Sequence, residues 1–258
     1  MAEALIKGII AADIYAPENV LVSDIRAERL ESLAERYGVV AAESNAALAA
    51  NAHTVVLSVK PQNMTDVLEG VKDAIGEKTL VISIAAGIKV ANIAAALGEV
   101  AIVRVMPNTP ALIGQGASAL FANDRAEPLL EKAMSIFSSV GKAVIVDDED
   151  LIDAVTAVSG SGPAYFFLLM EEMIRAGIEL GLPGDVAKDL VLQTAKGSGL
   201  LAAEADKYNE GPAELRQKVT SPGGTTEAAL KVFAEGNFSR LVNDVLTAAY
   251  DRGRELSG

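Results

Sequence analysis

Three groups of residues in this chain have types and spacings that could do chemistry. The first is Val219-Thr220-Ser221-Pro222-Gly223-Gly224-Thr225-Thr226, which runs into an apolar-patterned segment. Adjacent glycines leave backbone N–H groups open to close approach, and Ser and Thr at a helix start add hydroxyl donors. A helix N-terminus favours an anion, so the group suits a small carboxylate. Ordinary N-capping after a Ser-Pro-Gly-Gly turn uses the same residues, and on spacing alone capping stands ahead because such sequences are common. The second group is Ser159-Gly160-Ser161-Gly162-Pro163-Ala164-Tyr165. Pro163 suits the first position of a helix, and the small residues permit close approach of a ligand or of another helix. Tight helix packing explains them equally well.

The third group is a set of turns placed after successive apolar runs: Ser58-Val59-Lys60-Pro61, Ala85-Ala86-Gly87 and Met106-Pro107-Asn108-Thr109-Pro110. In open α/β sheets ligands bind outside the carboxyl ends of the strands, where small or Pro-rich turns let a flat cofactor lie against the backbone. Plain loop chemistry accounts for each turn singly; the three together are suggestive. His53 is the only histidine and there is no cysteine. Disulfides, thiolate catalysis and Cys-ligated metals are excluded, and no metal site is expected. His53 reads as a structural residue at the start of a buried strand. The scattered methionines read as core filling.

The elements that must position these groups alternate. Apolar periodicity predicts helices over residues 2–12, 27–37, 67–75, 90–97 and 128–140, and strands over 20–22, 54–59, 80–85, 100–105, 117–121 and 143–146. Strands that are apolar throughout and separated by helices indicate a parallel sheet covered on both faces. The expected fold class is α/β, a doubly wound, Rossmann-like parallel sheet. Beyond Asp147 the strand signals stop. Helices are predicted over 151–158, 163–180, 184–203, 212–219, 226–235 and 238–255. The expected domains are therefore 1–147, dinucleotide-binding, and 148–258, helical. The acidic run Asp147–Asp150 between them reads as a solvated helix start. The segment 164–170 is apolar all round, which suggests a place inside an oligomer interface.

The formal net charge is −13, which repels nucleic acid and anionic membranes and leaves a phosphorylated cofactor to local donors. No apolar run reaches the length of a transmembrane helix, and the opening carries an acid where a signal peptide is basic. The expectation is a cytoplasmic protein with no nucleic-acid or membrane partner.

In this order, Val59-Lys60-Pro61, Ser83-Ile84-Ala85-Ala86-Gly87, Met106-Pro107-Asn108-Thr109-Pro110, Asp150-Leu151-Ile152-Asp153-Ala154-Val155-Thr156 with Ser159–Tyr165, and Ser221–Thr226 resemble pyrroline-5-carboxylate reductase. The matches span nearly the whole chain, and Ser-Pro-Gly-Gly-Thr-Thr before a helix is that family's signature region. The resemblance implies reduction of the cyclic imine 1-pyrroline-5-carboxylate to L-proline by hydride from NADPH, with NADH possible, as the last step of proline biosynthesis. It implies that Ser58, Val59, Lys60, Pro61, Ala85, Ala86 and Gly87 line the dinucleotide, that Asn45 reaches its ribose and that Asn108 lies near the nicotinamide. It places Ser221, Gly223, Gly224, Thr225 and Thr226 on the substrate, with Thr226 catalytic at the imine nitrogen. It implies a homodimer or larger homo-oligomer joined through the C-terminal helices, with each site formed between one chain and its partner.

Two departures accompany the resemblance. The family pattern has a strand and a Gly-x-Gly-Asn-Met turn ahead of Ala2-Glu3-Ala4-Leu5, and this sequence opens at the corresponding Met. The sheet is expected to lack its first strand, and pyrophosphate binding to be weak. A second reading follows from that, a catalytically impaired or regulatory member with poor dinucleotide binding. A third, another imine or β-hydroxyacid dehydrogenase on the same fold, is opposed by Ser221–Thr226. The other departure is Asp24, which stands with Ser23 at the expected ribose-2′ contact. An acid there favours NADH, whereas Ser23 and Arg26 can serve NADPH, the form the family resemblance favours.

Overall fold

The computed structural model describes residues 1–257. The chain divides into two compact units, Met1–Pro163 together with the segment from Ala248 onward, and Ala164–Thr247. The first unit alternates: α1 (Ala2–Ala11), β1 (Leu21–Val22), α2 (Ala27–Tyr37), β2 (Val40–Ala41), α3 (Asn45–Asn51), β3 (Thr54–Leu57), α4 (Met64–Val71), β4 (Leu80–Ser83), α5 (Val90–Leu97), β5 (Ala101–Met106), β6 (Gly116–Ala122), α6 (Leu130–Ser138), β7 (Gly141–Ile145) and α7 (Leu151–Val155). The rest of the chain is helical: α8 (Gly162–Glu179), α9 (Gly184–Asp206), α10 (Pro212–Lys218), α11 (Thr225–Glu235) and α12 (Phe238–Ser257), whose last turns belong to the first unit. This is the Rossmann-like α/β sheet followed by helices that the sequence predicts.

Five strands form one sheet in the order β3-β4-β5-β6-β7, while β1 and β2 pair only with each other. The pairs β3–β4, β4–β5 and β6–β7 are parallel, but β5–β6 is antiparallel. The all-parallel sheet expected from sequence is corrected at that pair. Helix α1 joins the two sheets by side chains. Its Leu5 and Ile9 pack with Leu80, Ile82, Val103, Leu120 and Phe137, and its Ile6 packs with Val22, Leu33 and Val39. Val55, Leu57, Val81 and Ile102 form a second core with Leu68 of α4 and Ile93 of α5, so the sheet is covered on both faces.

Local signals explain the bounds. Helix α2 has Glu28 in its first turn and Arg36 in its last, both favourable to the helix dipole, and ends at Gly38 in the left-handed region. After α7, the five residues Thr156–Gly160 form a π turn, in which the Ser161 N–H donates to the Thr156 carbonyl at 2.8 Å. The helical run therefore continues from Leu151 to Glu179 with Ser161 alone outside it, 29 residues that include an 18-residue stretch of mean hydropathy 1.2. By length and composition alone that run could cross a membrane, which corrects the expectation that none could. The π turn is the reason: it carries helical structure through Ser159-Gly160, where the sequence reads as a break. His53 lies outside β3 and is exposed, not at the head of a buried strand.

Candidate active site

Strands β3, β4 and β5 run in the same direction with Thr54 beside Leu80 and Leu80 beside Ala101, so their carboxyl ends open on one edge. Ser58-Val59-Lys60-Pro61 leaves that edge after β3, Ala85-Ala86-Gly87 after β4, and Asn108 after β5. Ser58 and Val59 are half-buried, whereas Lys60 and Pro61 are exposed. Ala85 is buried, its N–H reaching the Ser83 hydroxyl at 3.4 Å, and Ala86 turns a single methyl outward. The parallel pair β1–β2 gathers a second set: Ser23 and Asp24 follow β1, and Asn45 opens α3 beyond β2. Asn45 is exposed in the first turn, just after Ser44, whose hydroxyl accepts from the Ala47 N–H at 3.1 Å.

Asp24 is not a bare acid. Its carboxylate accepts from the Arg26 N–H at 3.0 Å and from Arg26 Nε at 3.2 Å. The hydrogen bond from the Arg26 side chain holds the Asp24 carboxyl below the usual carboxylate range, and the same contact pushes the Arg26 guanidinium up.

Asn108 is committed at both ends of its amide. Its Nδ2 donates to the Ser159 carbonyl at 3.0 Å, and its Oδ1 accepts from the Ala117 N–H at 2.8 Å. The side chain thus ties the end of β5 to the start of β6 and to the π turn. Gly160 permits the close packing beneath it: a Cβ there would lie 2.5 Å from Met106 Cε. The second segment singled out in the sequence, Ser159–Tyr165, is therefore a π turn docked on the exit of β5 and then the start of α8.

In the second unit, Ser221-Pro222-Gly223-Gly224 closes a turn with the Gly224 N–H on the Ser221 carbonyl at 2.9 Å. Proline at its second position and Gly223 at φ 70° in its third make it type II, whose positive φ there favours glycine. The Gly223 N–H donates to Glu227 at 2.7 Å. Both glycine amides, read from the sequence as open donors, are thus engaged by the chain. Thr225 and Thr226 begin α11 behind this turn, and no side chain caps the helix start. Thr225 is exposed and Thr226 half-buried, and among the described residues neither hydroxyl has a hydrogen-bond partner. What the site offers a carboxylate is two hydroxyls and the first-turn N–H groups.

Sequence reading missed Arg104. It sits in the middle of β5 with only 2% of its side chain exposed, and pairs with Glu149 at 3.0 Å and Asp153 at 3.6 Å. A lone cation inside a buried strand demands carboxylate partners, and the acidic run was the place to look for them. Glu149 is consequently no solvated helix start, which corrects that reading. Glu3 was also passed over. It receives the Tyr37 hydroxyl at 2.9 Å and pairs with Arg29 and Arg36 of α2. Hydrogen bonding from Arg29, then from Tyr37, lowers the Glu3 carboxyl from its ordinary value. Among the described residues no three His, Cys, Asp or Glu side chains are placed to hold a metal.

An open α/β sheet with small turns gathered at the carboxyl ends of its strands, leading into an all-helical unit, defines a dinucleotide-binding oxidoreductase architecture. Residues 149–256 match the family model described as pyrroline-5-carboxylate reductase dimerisation, and residues 1–87 match that described as NADP oxidoreductase, coenzyme F420-dependent. The pyrroline-5-carboxylate reductase of Pseudomonas aeruginosa is 48% identical over 259 residues, covering 100% of this chain and 93% of that protein. The Pisum sativum enzyme of the same name is 36% identical, with coverages of 100% and 93%. Among solved structures, a pyrroline-5-carboxylate reductase from Coxiella burnetii superposes with a TM-score of 0.94 at 42% identity, covering 100% of this chain and 95% of that one. The Plasmodium falciparum pyrroline carboxylate reductase with NADP bound gives 0.85 at 31%, with coverages of 99% and 94%. The chain belongs to the pyrroline-5-carboxylate reductase family.

Proposed function

We propose that this chain reduces 1-pyrroline-5-carboxylate to L-proline with NADPH or NADH, the last step of proline biosynthesis. The observation that carries the reading is identity of 48% to a protein of that name along the whole chain. The impaired, poorly binding alternative is not favoured by relatives that match along the whole of this chain and over 93% of their own length.

NAD(P)H supplies the hydride when bound. The chain's own residues fit such a group. Ala86 leaves one methyl at the strand edge, Asn45 offers an exposed amide, and Arg26 keeps 69% of its side chain exposed while paired with Asp24. That pair tempers the acid expected to disfavour a 2′-phosphate, and supports NADPH. Ser23, Asp24, Ser58, Val59, Lys60, Pro61, Ala85 and Gly87 complete the proposed cofactor contacts, with Asn108 holding the backbone at the nicotinamide end.

On the substrate side, the first-turn N–H groups of α11 and the Thr225 hydroxyl hold the carboxylate, while Ser221, Gly223 and Gly224 shape the turn. The imine arrives protonated, and hydride added to its carbon turns that iminium into the neutral ring amine. In this reading the Thr226 hydroxyl accepts a hydrogen bond from the iminium N–H. Excluding water around the reacting carbon does the rest of the chemical work.

Subunits associate through the C-terminal helices. The apolar run Leu151–Glu179 is read as interface rather than membrane span, since it lies within the dimerisation match at residues 149–256. A cytoplasmic location without nucleic-acid or membrane partners completes the reading, and cell fractionation against a membrane marker decides it. The main test is direct. Purified protein mixed with pyrroline-5-carboxylate should consume NADPH and yield proline stoichiometrically. No proline with either nucleotide would overturn the assignment.

A further inference from the structure

We propose that Glu149 is a positioning residue for the dinucleotide turn Ala85-Ala86-Gly87, acting through the first backbone amide of α5. This rests on the reductase reading only for what occupies the turn. One oxygen of Glu149, Oε1, accepts from Arg104 Nη1 at 3.0 Å and from the Val90 N–H at 2.8 Å. Val90 is the first residue of α5, three positions beyond Gly87. The residue at the usual capping position, Lys89, gives the helix no side-chain hydrogen bond. An amide that the helix leaves without a partner is thus met by a carboxylate 59 residues further along the chain. The next residue adds a second tie, Lys89 Nζ to Asp150 at 3.3 Å.

The turn's entrance is fixed by the hydrogen bonds of β4 to its two neighbours. Its exit is fixed from the linker, by Glu149 on Val90 and Asp150 on Lys89. Arg104 holds Glu149 in place from inside the sheet, and is itself buried at 2% exposure. A carboxylate at a helix N-terminus also opposes the dipole's positive end. Without Glu149 the first turn of α5 frays, and the backbone from Ala85 to Gly87 must be ordered again by each nucleotide that binds. Cofactor affinity falls, while the substrate groups on α11 are untouched.

Removing Glu149 also leaves Arg104 short of a partner, which destabilises the fold for an unrelated reason. Three variants separate the two effects. Glu149→Ala removes both bonds, and Glu149→Gln keeps an acceptor for Val90. Val90→Pro removes the amide, at the cost of trimming a buried side chain, and leaves the Arg104–Glu149 pair intact. Proline suits a first helical position, and Lys89 at φ −76°, ψ 155° already has the backbone that precedes one. NADPH binding is followed by fluorescence titration, and amide hydrogen exchange of residues 85–90 is measured without nucleotide.

Expected are a roughly fivefold rise in the NADPH Kd for Glu149→Ala and Val90→Pro, near wild-type binding for Glu149→Gln, and faster exchange in the turn for the first two. The KM for pyrroline-5-carboxylate should stay unchanged in all three. Wild-type affinity in Val90→Pro overturns the proposal, as does Glu149→Gln binding as weakly as Glu149→Ala. If Glu149→Ala does not fold, Val90→Pro alone decides. A wild-type protein that binds NADPH yet makes no proline defeats the reductase reading and leaves this one standing.

Discussion

Thr226 and Asn108 hold polar groups of similar reach in opposite conditions. Asn108 has both ends of its amide on backbone groups, and Thr226 has a hydroxyl with no partner among the described residues, half-buried at a helix start. A free hydroxyl in that position can serve a ligand; a doubly bonded amide serves the fold. Thr226→Ala should therefore lower kcat/KM for pyrroline-5-carboxylate by about tenfold or more, the worth of one hydrogen bond to a charged group. The NADPH Kd should remain at its wild-type value. Loss of nucleotide binding with unchanged substrate kinetics would place Thr226 elsewhere. The residue types at both positions were legible in the sequence, but their commitments were not. That the Gly223 amide belongs to Glu227 depends on a turn type and a side-chain rotamer, which spacing does not encode. Arg104 carried a signal, a cation within Val100–Met106, which no local pattern could match to a carboxylate 45 residues away.

At the scale of elements, most boundaries followed from periodicity and capping: α2 ends at Gly38 and α5 spans Val90–Leu97, as predicted. The misses have physical reasons. Strand β2 has only two residues, and α3 is a short Ala-rich turn with little apolar contrast. The antiparallel β6 was readable in principle. Parallel neighbours need a crossover of about a dozen residues or more, and only residues 107–115 separate β5 from β6. Between α1 and α2 the Glu3 cluster makes a pH prediction. The folded-state pKa of Glu3 is depressed, chiefly by Arg29. Its stabilisation is present above the ordinary carboxylate value and is lost as pH falls through the depressed one. Glu3→Gln should cost about 1 kcal/mol near neutrality, a figure kept small because the pair is partly exposed. The gap in melting temperature between wild type and variant should close as the pH is lowered from about 5 to 3. A gap independent of pH would show that the ion pairs contribute nothing.

At the scale of the molecule, the second unit leaves large apolar side chains in the open. On α8, Phe166 is 65%, Phe167 59% and Leu168 59% exposed. Consecutive residues on a helix point in different directions, so the chain leaves more than one face of α8 open. A soluble monomer rarely tolerates a patch of that kind, and in this family the region is the dimerisation segment. Phe167→Asp places a charge on the surface proposed to meet a partner. Light scattering should report smaller particles for that variant, and an unchanged, fully folded oligomer would remove α8 from the interface.

With α8 in the proposed interface, dilution acts as a denaturant. When the partner's side chains are what keep α8 out of water, the folded state is stabilised by mass action, and no single free energy of unfolding belongs to the chain by itself. Its melting temperature should climb with protein concentration, and an enzyme assayed at nanomolar levels would lose activity on standing for reasons that have nothing to do with its active site.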